Sequence, residues 1–201
     1  MFEKIKQQID QLNIDEISEE RKLILNELVS YLKQKQAEGN VIQLNFICTH
    51  NSRRSHLTQI WAQTMAAYYG VQNVYCFSGG TEATAMFYKV AETLIDQGFQ
   101  IKKKDETTNP IYEVLFDETA SPIICFSKTF DDPFNPETNF AAIMTCSTAD
   151  EACPYIAGAE KRIPIRYEDP KLYDNTPEMD AKYRERSLEI ARELKYVFLD
   201  C

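Results

Sequence analysis

The sequence has no apolar run that approaches bilayer-spanning length; its longest strand-like pieces are IICF and AAIM. A membrane-spanning protein is therefore not expected. It has no basic excess either. Asp and Glu number 31 against 22 Lys and Arg, for a net charge of -9. That balance argues against a nucleic-acid partner, which needs a basic surface, but leaves room for a small anion in one local site. The N-terminal MFEKIKQQIDQ is too acidic and polar for a secretion signal, and there is no internal repeat or low-complexity tract. A cytoplasmic protein with reduced thiols is expected. No Cys-x2-Cys pair exists to begin a zinc site. The only two histidines, His50 and His56, have no Asp or Glu at a spacing that defines a triad. No metal and no cofactor are expected.

What is present reads first as helix. Phe2, Ile5, Ile9 and Leu12 recur three and four apart, and Leu25, Leu28, Val29 and Leu32 repeat the pattern. Ser18 followed by Glu19 and Glu20 suits a helix N-cap, and Gly39 a helix stop. Residues 1–40 are thus an N-terminal helical extension, either a hairpin packed on the main domain or a surface for a partner or a second copy of the chain. Residues 41–201 form the main domain. Strands VIQLNFIC, NVYCFSGG, PIICFS, FAAIMTC and KRIPI alternate with helices over 55–69, 84–97 and 177–198. This order predicts an α/β fold, a doubly wound parallel four-stranded sheet flanked by helices. Residues 102–122 and 128–138 are rich in turn formers and read as loops or an insertion.

The six cysteines divide by setting. Cys76 and Cys125 sit inside apolar runs and read as small buried hydrophobes. Cys201 ends the chain. Cys48 ends a strand, and CTHNSRRS carries the chain from it into a helix. Such a strand-loop-helix turn aims backbone N–H groups at one point and adds the helix dipole, which makes an anion site and favours a thiolate at Cys48. Arg54, at a Cys-x5-Arg spacing, can fork onto two oxygens of a tetrahedral oxyanion. Ser55 can donate a hydrogen bond to the sulfur. The residues specify a nucleophile in an oxyanion cradle formed by Thr49, His50, Asn51, Ser52, Arg53, Arg54 and Ser55. Cys146 and Cys153, with six residues between them in MTCSTADEACP, are a structural pair, half of a metal site or a redox pair.

CTHNSRRS resembles the phosphate-binding loop of the low-molecular-weight protein tyrosine phosphatases and of the thioredoxin-coupled arsenate reductases that share their fold. The resemblance covers about residues 41–200. Where that loop reads C-x-G-N-x-C-R-S, Cys48, Asn51, Arg54 and Ser55 match, His50 replaces Gly and Arg53 replaces Cys. His50 is expected to crowd the loop, because Gly permits backbone angles that other residues avoid. FSGGTEA is similar to the stretch after the second strand of these enzymes, which implies that Ser78 supports the loop.

The same resemblance implies a role for the cysteine pair. Arsenate reductases carry one at this spacing and place, and a plain phosphatase has no use for it. Cys146 would attack a Cys48–arsenic adduct, Cys153 would then attack Cys146, and thioredoxin, or glutathione with glutaredoxin, would reduce the final disulfide. The aspartate before proline is the general acid of the family. FDDP and YEDP both offer one; chain order selects Asp169, leaving Asp131 and Asp132 as turn residues. Gln59 stands where some arsenate reductases have a Glu linked to cation binding, so potassium dependence is not expected. Three readings stay open: arsenate reductase, phosphatase acting on phosphotyrosine or a small ester, and an oxyanion-binding module without turnover.

Overall fold

A computed structural model of the chain describes residues 1–201. Its main sheet contains four parallel strands in the order β2-β1-β6-β7, namely β1 Ile42–Cys48, β2 Val74–Gly80, β6 Phe140–Met144 and β7 Ala159–Pro164. Helices α1 Glu3–Gln11, α2 Glu19–Ala37, α3 Arg54–Tyr68, α4 Tyr88–Asp96, α5 Ser147–Ala152 and α6 Met179–Leu199 surround it. Strand alternation splits the interior in two. Leu44, Phe46, Ala141, Ile143 and Ile163 face a core of 40 buried residues under α3 and α6. Ile47, Phe140, Ala142 and Met144 face a core of only eight, which includes Ala149 of α5 and also Cys48 and Cys146. Both of these cysteines, singled out for the candidate site, lie on this thinly covered face.

Three strands do not join the main sheet. β3 Gln100–Lys103, β4 Tyr112–Leu115 and β5 Ile123–Cys125 form a separate antiparallel sheet. The segment 102–122, expected to be loops or an insertion, therefore contains β4 and the end of β3, and IIC pairs with Tyr112–Val114 rather than with the parallel strands. The reason is local. Tyr112 and Val114 are buried on one face and Glu113 and Leu115 are half-exposed on the other, a two-residue period too short to stand out among turn formers. The second helix after β1 also begins later than its sequence pattern suggests. Residues before Tyr88 run extended, and the N–H of Phe87 donates to the Ser52 carbonyl at 3.0 Å.

The open edge of β2 is closed by side chains of α3. Gln63 donates to the Val74 carbonyl at 3.0 Å and accepts from the Cys76 N–H at 3.0 Å. Gln59, one turn earlier, donates to the Cys76 carbonyl at 3.0 Å. Two amides at i and i+4 thus occupy the hydrogen-bonding positions of a missing fifth strand and protect an edge that would otherwise recruit one. Gln59 is buried in this role.

The N-terminal helices share the large core. Ile5, Ile9, Leu25, Leu28 and Leu32 are fully or almost fully buried within it. The Ser18 hydroxyl accepts from the Arg21 N–H at 3.2 Å, as its N-cap position requires. Lys195 of α6 donates to the carbonyls of Ile9 and Leu12, both at 2.8 Å, fastening the end of α1. Because Leu28 belongs to the common core, Leu28→Ala should destabilise the whole chain by about 2–5 kcal/mol. In urea, α2 and the main sheet should still unfold in one transition. Separate transitions for the two would show that the helices are an independent unit.

Candidate active site

β1 ends at Cys48 and α3 begins at Arg54, so residues 49–53 must turn the chain within five positions. The outer side of this loop is bonded to the protein. The Cys48 carbonyl accepts from Thr81 N–H at 3.1 Å, and the Thr49 carbonyl from Glu82 N–H at 2.8 Å. The His50 carbonyl accepts from the hydroxyls of Ser127 at 2.9 Å and Thr84 at 3.1 Å, and the Ser52 carbonyl from Phe87 N–H. All peptide bonds are trans, so the N–H groups of Thr49, His50, Asn51 and Arg53 point the opposite way. They donate to no protein group, which makes the loop a nest for an anion.

Gly80 permits this arrangement. A β-carbon there would lie 2.7 Å from both the Thr49 carbonyl oxygen and the Asn51 nitrogen, so the loop could not lie against the end of β2. The one left-handed residue in the loop is Asn51, at φ 43°. His50 is not left-handed, so the conformational cost expected for a side chain at position 50 does not arise. Its imidazole points outward, is 46% exposed and lies 3.6 Å from Glu82.

Asn51 is fully buried and orders the interior of the loop. Its carbonyl oxygen accepts from the Lys128 N–H at 2.9 Å, which fixes the amide orientation. Its amide therefore donates to Ser55 Oγ, at 2.8 Å. The Ser55 hydroxyl keeps its own proton and lies 3.1 Å from Cys48 Sγ, so it can donate to the sulfur. A chain of three hydrogen bonds thus runs from the Lys128 N–H through Asn51 and Ser55 to the sulfur.

Arg54 and Arg53 make different commitments. Arg54 donates to the Tyr167 carbonyl at 3.0 Å and to Asp169 Oδ2 at 2.5 Å, while its buried Nε has no partner. An unpaired buried guanidinium N–H is a place for an acceptor oxygen. Arg53 is held away by Tyr183 and Asp174, both at 2.6 Å, and lies 4.1 Å over the Phe87 ring. Tyr183 donates in turn to Asp174 at 2.6 Å. Cys48, His50, Ser52, Arg53, Arg54 and Asp169 line a small cavity of about 10 Å³, in which the Asp169 carboxylate occupies Nη2 of Arg54.

The structure also places the remaining sequence-selected residues. Asp169 precedes a short 3-10 turn at Pro170–Tyr173 and caps it by accepting from the Lys171 N–H at 3.1 Å. Ser78 does not bond to residues 49–54; its hydroxyl faces His56 Nδ1 of α3 at 3.3 Å. Asp132 accepts from the Phe134 N–H at 2.9 Å within a turn. Cys146 is fully buried beside the loop, with Thr49 Oγ1 3.4 Å from its sulfur. Its Sγ accepts from the Ala149 N–H at 3.3 Å, at the start of α5, and half-buried Cys153 ends that helix. Cys76 and Cys125 lie apart from this group, and burial raises both thiols, Cys125 to about 12. No group of three or more His, Cys, Asp or Glu side chains is placed to hold a metal ion.

Lys128, Asp174 and Tyr183 are the residues that motif reading does not reach. Lys128 is buried between the rings of Phe126 and Phe134, 4.4 and 5.1 Å from its Nζ. Burial lowers its pKa to about 8. Only KTFDDPF, a lysine amid aromatic and turn residues, hinted at it.

No protein-family model matches the chain, and no curated protein matches it. Among solved structures, it is similar to a low-molecular-weight phosphotyrosine phosphatase from Vibrio cholerae O395, with a TM-score of 0.53 at 15% identity over 79% of this chain and 95% of that one. It is similar to a low-molecular-weight protein tyrosine phosphatase from T. tengcongensis, with a TM-score of 0.54 at 14% identity over 80% and 99%. It is also similar to a YwlE mutant from Bacillus subtilis, with a TM-score of 0.51 at 14% identity over 79% and 97%. The chain therefore has the low-molecular-weight protein tyrosine phosphatase fold.

His56 provides a pH test of this region. Burial, reinforced by the charge of Lys128, lowers its pKa from 6.5 to about 3. Between those values the unfolded chain binds the proton and the folded chain does not, so stability falls as pH drops from 6.5 towards 3. The expected loss is on the order of 4 kcal/mol. A His56→Gln variant should show a flatter dependence of urea midpoint on pH over that window; an unchanged slope would place the titration elsewhere.

Proposed function

We propose that the chain is an arsenate reductase built on the low-molecular-weight phosphatase fold. The observation that carries this reading is the position of Cys146. Parallel pairing of Ile47 with Met144 brings the ends of β1 and β6 together, and Cys146 packs in the same small core as Cys48. A phosphatase needs the loop, Arg54 and an acid; it does not need a second thiol beside the nucleophile.

In this reading the nest and Arg54 bind arsenate, and the Cys48 sulfur bonds to arsenic. Asp169, withdrawn from Arg54, passes the proton released by the Cys48 thiol to the departing oxygen, which leaves as water. Cys146 then attacks the Cys48 sulfur. The sulfur–arsenic bond breaks and its electron pair stays on arsenic, which leaves as arsenite. Two thiols have supplied the two electrons, and a Cys48–Cys146 disulfide remains. Cys153 attacks Cys146, freeing the Cys48 thiolate and forming a Cys146–Cys153 disulfide. A dithiol protein of the thioredoxin or glutaredoxin type restores both thiols.

Geometry adds a condition to the last step. Cys146 and Cys153 flank α5, and seven residues of helix separate α-carbons by about 10 Å at 1.5 Å per residue. A disulfide needs roughly 4.4–6.8 Å. The second disulfide therefore cannot form until α5 unwinds.

A second reading, phosphate-ester hydrolysis through phosphocysteine, is favoured by the Cys48–Arg54–Asp169 set alone. Arsenate-dependent NADPH consumption with thioredoxin and thioredoxin reductase, run beside cleavage of a chromogenic phosphate ester, separates the two. Sustained consumption that needs arsenate is expected. Cys153→Ser should be limited to a single turnover of arsenate while keeping any ester hydrolysis, and Cys48→Ser should lose both. Continued arsenate turnover by Cys153→Ser would sink the relay, and ester cleavage without NADPH loss would select the phosphatase.

A further inference from the structure

The relay proposed above needs α5 to unwind, yet the structure fastens α5 with unusual care. At six residues the helix is too short to persist on its own backbone bonds. Its Asp150 side chain, only 4% exposed, takes an arginine on each oxygen. Arg162 of β7 bonds Oδ1, and Nε of Arg166 bonds Oδ2 at 2.6 Å. Arg162 also donates to the Asp150 carbonyl and, at 3.0 Å, to the Cys153 carbonyl. The end of α5 that carries Cys153 is therefore stapled to β7 and its continuation.

That continuation is itself anchored. The Arg166 carbonyl accepts from Arg21 of α2 at 3.1 Å, and Arg21 forks onto Glu193 of α6 at 2.7 and 2.8 Å. The next carbonyl, that of Tyr167, accepts from Arg54 of the anion loop. Residues 162–167 thus join the cysteine helix, the oxyanion arginine and the N-terminal helices.

We infer that Asp150, through Arg162 and Arg166, is the latch that keeps α5 wound and Cys153 away from Cys146, so that its release sets the rate of the second disulfide. This rests on the relay reading. Asp150 touches no substrate; it is a positioning residue. Both arginines are partly exposed, so when the latch opens they pass to water while the carboxylate leaves its buried site. The anchoring through Arg21 gives residues 1–40 a part in the chemistry: they hold the fixed side of the latch.

The test compares wild type with Asp150→Asn and Arg166→Met in the full chain. Amide exchange over 147–153 in the reduced protein reads the latch. Disulfide formation with diamide, mapped by mass spectrometry, reads the relay bond. Alkylation of Cys48 by iodoacetamide reports whether the anion loop is undisturbed. Asp150→Asn should exchange in α5 about tenfold faster or more, and form the Cys146–Cys153 disulfide faster by a similar factor, with Cys48 alkylation unchanged. Arg166→Met, which leaves Arg162 in place, should fall between, and it serves as the test if Asp150→Asn does not fold. Unchanged α5 exchange and disulfide rate in both variants would overturn the latch. Faster α5 exchange with no Cys146–Cys153 disulfide in any protein would instead overturn the relay.

Discussion

The outward bonding of the Cys48–Arg54 loop is the constraint on which the site depends. Each carbonyl given to β2's end, to Ser127 or to Phe87 turns the following N–H toward the pocket. The anion nest is thus made by the loop's surroundings as much as by its own residues. Gly80 allows the close approach, and Asn51 accepts the left-handed turn that the short connection demands. The same Asn51 links the Lys128 N–H through Ser55 to Cys48 Sγ. Loop shape and sulfur chemistry are therefore two consequences of one set of hydrogen bonds.

The two arginines of the loop illustrate a division of labour between neighbours. Arg54 holds contacts that an oxyanion can replace: an exchangeable carboxylate and an empty Nε. Arg53 is saturated by Tyr183, Asp174 and the Phe87 ring. A five-residue step from Asp169 to Asp174 means that both ends of the acid-bearing segment are tied to the loop, one end by each arginine. Binding that withdraws Arg54 from Asp169 leaves the Arg53 tie in place. Asp169 is thereby kept within reach of the pocket.

The sheet's asymmetry has a similar consequence for the cysteine pair. The large core under α3 and α6 includes the N-terminal helices and is built for stability. The small core on the other face is covered by α5 and residues near Phe130. A short helix on a small core costs little to unwind, and polar latching by Asp150 supplies the restraint that packing does not. Cys48 and Cys146 both lie on this face, so an opening of the small core would leave the main core intact.

Much of this was legible in order along the chain. The strand-loop-helix run CTHNSRRS, the heptad-like spacing of Leu25, Leu28 and Leu32, the alternation of strands with helices and the Cys146/Cys153 spacing are all local patterns. Local periodicity and spacing reflect the backbone's own geometry, so they indicate element type, the parallel architecture and an oxyanion loop at Cys48, whereas the roles of Cys146, Cys153 and Asp169 came from the resemblance. The separate β3-β4-β5 sheet was hidden because four-residue strands among turn formers carry too little pattern. Asp150, Arg162, Lys128, Asp174 and Ser78 found their roles only when distant segments met. A hydrogen bond or ion pair between residues over a hundred positions apart, such as Arg54 with Asp169, leaves no periodic trace. The sequence by itself determined which groups could react; the tertiary structure decided which of them are held together, which are held apart, and by what.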